Sequence, residues 1–152
     1  MTQIELTVVK TAVYNEVAKT TSYTGAKMVG DEDAYLRIFT TDEDQEMLER
    51  YWDEAVSGAI EQLKPFIVST SNGESFTATL SMSSSFDTNL KDSIEKSLYS
   101  YMVAMIVAKW YRIANKQEAE SYGNDAAGAM DDVMKKIYYK KKPVRVAPTT
   151  NY

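Results

Sequence analysis

Residues 91–115, KDSIEKSLYSYMVAMIVAKWYRIAN, decide what kind of protein this chain builds. Inside them, Leu98 to Ala108 (LYSYMVAMIVA) run without a charge, and Lys109 and Arg112 follow at once. A helix that crosses a bilayer needs roughly 20 apolar residues. This stretch is much shorter, so a core helix is expected. Leu90, Ile94, Leu98, Tyr101, Met105 and Ala108 share one face of a helix predicted from Asp87 or Thr88 to about Asn115. Its middle is apolar nearly all round, as in a central helix or one shared between a core and a subunit interface.

Downstream, a further helix is expected from about Gln117, with Tyr122, Ala126, Met130, Val133 and Ile137 at spacings of 4, 4, 3 and 4. Gly123 and Gly128 each weaken it by roughly 1 kcal/mol relative to Ala, so its first half is expected to kink or fray. After Tyr139 the periodicity ends, and residues 140–152 read as an extended basic arm stiffened by Pro143 and Pro148.

Upstream, residues 66–82 read as two strands around Asn72-Gly73, a pair suited to a tight hairpin turn. Phe76, Ala78, Leu80 and Met82 alternate with Ser and Thr, which gives one apolar face. A lone hairpin is marginal in water, so it must lean on the helices or pair with a neighbouring chain.

Before it lies the best-marked helix. Thr41 can cap it, Asp44 completes a capping box, and Asp42 and Glu43 favour the positive helix N-terminus. Leu48, Trp52, Ala55, Ala59 and Leu63 form its stripe, widened by Tyr51, Val56 and Ile60, and Pro65 ends it by Lys64. Residues 27–39, KMVGDEDAYLRIF, read as a loop and one helical turn. A short helix is expected from about Thr11 to Ser22, and residues 3–9 as a short strand or extended arm. The fold class is therefore mainly α: a bundle of three to four helices with a small β-hairpin insertion (about 66–82) and extended terminal arms. Residues 1–139 form a single domain.

With 152 residues, the chain can bury one core without staples. It has no Cys and no His, which excludes disulfides, thiol nucleophiles, imidazole bases and the usual zinc sites. Eight Met and eleven Tyr suit irregular packing and protein contacts alike. The start, MTQIELTVVK, has an acid before any apolar run, so no secretory signal is expected and the protein should stay in the cell that made it.

Charge is unevenly divided. Residues 1–80 hold 14 acids and 6 bases (net −8), residues 81–152 hold 8 and 11 (net +3), which together give the overall −5. The acids crowd residues 31–54, and the bases crowd the C-terminus, where Lys135, Lys136, Lys140, Lys141, Lys142 and Arg145 stand without an acid. Three readings compete. In the first, both clusters are solvated surface and no more. In the second, the tail neutralises phosphates while Tyr138 and Tyr139 stack on bases, although an acidic body would repel the polyanion. In the third, the basic arm of one subunit lies on an acidic face of the next, a heterologous contact able to close a ring. Only the third uses both clusters. Its residues would be Lys140, Lys141, Lys142 and Arg145 in the arm, facing Asp42, Asp44, Glu46 and Glu49.

The acids do not spell a metal loop: GDEDAYLRI (30–38) lacks the alternating ligands and central Gly of an EF-hand. Nothing in the sequence groups Asp33, Asp44 or Glu54 around an apolar cleft as a catalytic pair, and Tyr99, Tyr101, Trp110 and Tyr111 sit in the core-helix stretch. No catalytic residue, metal or cofactor is expected, and no enzyme.

The order of parts carries a resemblance. An acidic lead-in and amphipathic helix (31–63, DEDAYLRIFTTDEDQEMLERYWDEAVSGAIEQL), an insertion, the long apolar helix (91–115), and a last helix running into a basic tail (131–145, DDVMKKIYYKKKPVR) resemble the small helical head-tail connector, or adaptor, proteins of tailed bacteriophages and prophages. The resemblance rests on pattern over about residues 31–145. The hairpin and the N-terminal stretch have no counterpart in it. It implies a virion structural protein of the phage neck, made in the bacterial cytoplasm and assembled as a homo-oligomeric ring below the portal. Portal and tail or neck proteins would be its partners. It further implies that terminal extensions, here residues 140–152, clasp a neighbour, that DNA passes the channel without specific binding, and that no membrane is involved. The alternative is a small regulatory or nucleic-acid-binding protein that uses the basic tail.

Overall fold

A computed structural model describes residues 2–22 and 41–140. The loop-and-turn expected at residues 27–39 and the arm beyond Lys140 lie outside the described residues. In chain order, the elements are β1 (Thr2–Val9), α1 (Lys10–Ser22), α2 (Asp42–Leu63), β2 (Ile67–Asn72), β3 (Ser75–Met82), α3 (Lys91–Ala114) and α4 (Lys116–Ile137). Short 3-10 turns at Lys64–Phe66 and Thr88–Leu90 lead into β2 and α3. The protein is mainly helical, with one small antiparallel sheet.

α3 is the hub, because α1, α2, α4 and β1 all pack on it. Its Ile94, Leu98, Met102 and Ile106 are fully buried, each contributing roughly 1.5–3 kcal/mol of apolar transfer. Asn115 both closes α3 and opens α4: its side-chain carbonyl accepts from the Glu118 N–H at 3.3 Å, so the two helices fold back on each other through one capping residue. α4 runs unbroken through Gly123 and Gly128, against the expected kink. Its stripe explains this, since Ala126, Met130, Val133 and Ile137 are buried, and packing outweighs the two weak propensities.

α2 starts as its sequence signals, with the Asp44 N–H donating to Thr41 Oγ1 at 3.1 Å. Leu48, Trp52, Ala55, Val56, Ala59 and Leu63 are buried, and Pro65 falls in the 3-10 turn that ends it.

The hairpin does not stand alone. The strand order is β1-β3-β2, with β3 paired to both neighbours. Ile4, Leu6 and Val8 of β1 sit opposite Leu80, Ala78 and Phe76, and all six are buried on the same face. Of the two readings for residues 3–9, the strand is the one that forms. It is held on its other side as well, because the Thr7 N–H donates to a Glu95 carboxylate oxygen of α3 at 3.0 Å.

The turn also differs from expectation. Asn72 ends β2, Gly73 and Glu74 make the connection, and Gly73 does not take the left-handed backbone that a tight Asn-Gly turn requires. The Asn72 side chain is engaged elsewhere: it accepts from the Trp52 indole at 2.8 Å and donates to Asp53 at 3.1 Å, which ties β2 to α2.

Candidate functional site

The acids that the sequence suggests as the tail's partners do not all stand on one face of α2. Asp42 and Asp44 belong to the first turn of α2, where they offset the helix dipole. On a 3.6-residue helix, Asp42, Glu46 and Glu49 share a stripe, whereas Asp44 falls about 200° around the axis and is only half exposed. Glu49 already has a partner, for Lys10 Nζ donates to its two oxygens at 3.0 and 2.9 Å and also lies 5.7 Å from the Trp52 ring centroid. That pair ties α1 to α2. Asp42 and Glu46 are exposed.

Of the tail cations, Lys140 is described, while Lys141, Lys142 and Arg145 lie outside the described residues. Lys140 is exposed and forms an antiparallel bridge with Phe86, just ahead of α3. Two residues earlier, Tyr138 packs edge-on against Phe66 with ring centroids 5.5 Å apart. The chain therefore leaves α4 from a fixed place. Lys136 is drawn inward, donating to Ser97 Oγ at 2.8 Å, so it is not one of the free cations of this end.

A different acidic surface does converge. α2 and α4 both lie on α3, and between them runs an open groove with a cavity of about 330 Å³. Tyr101 and Met105 of α3 line its floor, Gly58 and Gly123 open its sides, and Glu61 of α2 and Asp131 of α4 stand on its two walls. Both carboxylates are exposed, and neither forms a salt bridge among the described residues. Along α2 the surface continues past Ser57 and Glu54 to Asp53 and Arg50.

Glu54 is paired. Lys109 of α3 donates to it at 2.8 Å, and Arg50 adds a looser contact at 3.5 Å, one turn away. The Lys109 hydrogen bond is the main reason its carboxyl sits below the ordinary glutamate range.

The groove exists because Gly58 lets Tyr101 pass beneath α2. A Cβ at Gly58 would meet the Tyr101 hydroxyl, which donates to the Ala55 carbonyl at 3.2 Å. Burial, and secondarily the Glu61 charge, pushes the Tyr101 phenol above its ordinary pKa, so it stays a neutral donor.

Glu61 and Asp131 escape a reading that groups acids by closeness along the chain. Helical spacing finds part of the surface: Glu54 and Glu61 are seven residues apart on one stripe, and Gly123 and Ala127 are four apart on another. That these stripes face each other is not a local property. Among the described residues no helix is long and apolar enough to cross a membrane, and no group of three or more acids is placed to hold a metal ion. Compared with protein-family models, curated proteins and solved structures, the chain matches none.

Proposed function

We propose that this chain is a non-enzymatic structural protein that assembles with copies of itself, as a ring at the head-tail junction of a tailed phage, beneath the portal. The observation that carries the reading is the exit of the chain at Lys140. It is held to the domain through the Phe86 bridge and the Tyr138–Phe66 contact, so the cationic segment that follows starts from a fixed point on a body rich in surface carboxylates. Opposite charges set apart on one subunit favour contacts between subunits, and a heterologous contact of this kind closes into a ring when its rotation permits. The helices α2, α3 and α4 follow in the order on which the connector resemblance rests, with the strands between α2 and α3 as an insertion that has no counterpart in it. An acidic wall suits a DNA channel, since it repels the passing duplex.

A second reading draws on Tyr138 and Tyr139, which are 63% and 56% exposed where the cationic segment begins and so are available to stack on bases. One pair of samples separates the two readings: the full chain and a chain truncated after Tyr139. For the assembly reading, sedimentation velocity gives multimers of the full chain and a monomer of the truncated one, with unchanged helical circular dichroism. A full chain that stays monomeric, and that binds DNA with an affinity falling steeply with salt and lost on truncation, overturns it in favour of nucleic-acid binding.

A further inference from the structure

We infer that the groove between α2 and α4 is the receptor for residues 141–152 of a second copy of this chain, with Glu61 and Asp131 gripping cationic side chains of that segment. The inference rests on the assembly reading above and names the surface that the arm engages.

Three features support it. First, the walls carry two exposed carboxylates with no salt-bridge partner among the described residues, while the surface beside them is already balanced by Arg50 and Lys109 at Glu54. A cation arriving between Glu61 and Asp131 would meet negative charge on both sides. Second, the partly buried Met105, beside the Tyr101 ring at the floor, offers an apolar surface on which the aliphatic stem of Lys or Arg can lie while its head reaches the rim. Such a shape suits long cationic side chains better than a bare metal ion, which would need more oxygen ligands than two walls supply. Third, the segment beyond Lys140, KKPVRVAPTTNY, carries Lys141, Lys142 and Arg145 and no acid. Twelve residues extend to about 40 Å, enough to reach the flank of a neighbouring domain.

Of the acids at the start of α2, Glu49 is held by Lys10 and Asp42 and Asp44 lie in the first helical turn, whereas neither Glu61 nor Asp131 has a salt-bridge partner among the described residues.

Complementation between two variants that both keep the folded domain tests this. One carries Glu61→Lys and Asp131→Lys with an intact tail; the other keeps the groove and ends at Lys140. Both replaced side chains are exposed, so both variants should keep the parent circular dichroism. By sedimentation velocity each should be at least about tenfold weaker in self-association than the parent chain. An equimolar mixture should form a complex that stops at one copy of each, because one tail meets one intact groove and no further contact follows. Added salt should dissolve that complex.

If the parent assembles and the charge-reversed variant assembles equally well, the groove inference falls and the assembly reading stands. If the parent itself stays monomeric, both fall. If neither variant associates and the mixture stays two monomers although the parent assembles, the tail occupies its own domain or another surface, and the groove assignment between copies is overturned.

Discussion

Gly58 shows how one missing side chain shapes the surface. In the middle of a 22-residue helix, glycine is a poor choice by about 1 kcal/mol relative to alanine. It is retained here as the only residue small enough for the Tyr101 ring to pass below α2 and deliver its hydroxyl to the Ala55 carbonyl. Gly58→Ala should therefore destabilise the protein, by roughly 1–2 kcal/mol net, because overpacking exceeds the propensity gain. In a Tyr101→Phe background, the obstructing oxygen is gone and the same substitution should become neutral or stabilising. A denaturant-unfolding cycle over the four proteins reads the sign change. If Gly58→Ala costs the same in the Tyr101→Phe background as in the parent, the close approach is not what excludes a side chain.

Among the elements, α4 is the instructive case. Judged by composition alone, it should fray around Gly123 and Gly128, yet it forms a continuous helix because its apolar stripe is pressed along the length of α3. The glycines remain a cost that packing offsets. Gly128 is exposed, and nothing lies within 4 Å of a Cβ built there. Gly128→Ala should raise unfolding stability by about 1 kcal/mol, with an unchanged denaturant slope. A loss of stability would mean that the backbone at this position is not ordinary helix. β1 makes the complementary point. A weakly alternating stretch becomes a strand because β3 offers an apolar partner face, and Glu95 adds a hold on the outer edge through the Thr7 amide.

Across the molecule, the tyrosines report on the core. Tyr99, Tyr101 and Tyr111 all lie on the hub helix, and burial is the first cause that raises each phenol above its ordinary pKa of about 10. Their hydroxyls donate to the Ala12, Ala55 and Thr21 carbonyls, which link α3 to α1 and α2. A phenol whose folded pKa is raised keeps its proton while the unfolded chain releases it. The stabilising contribution is thus complete below about pH 10 and is lost as the pH rises beyond that value. Alkaline titration followed by tyrosinate absorbance should show some of the eleven tyrosines ionising at the ordinary pH and a later group ionising together with loss of helical signal. A single ordinary transition with the fold intact would contradict the burial of Tyr101.

Near neighbours in the chain settle a good part of this protein before any fold is considered. The cap at Thr41, the stripe of α2, the stop before Pro65, the alternation of β3 and the apolar run that becomes the central helix are all legible, because capping and helical or strand periodicity act over a few residues. The lack of Cys and His equally removes whole classes of chemistry. Packing in three dimensions set the rest. It laid β1 between α3 and a strand far away in the chain, and it gave Asn72 to Trp52 and Asp53 instead of a tight turn. It also made Glu61 and Asp131, distant in sequence, the two walls of one groove. Those outcomes follow from which apolar faces find one another, a choice made over the whole core and left unmarked in any short stretch of residues.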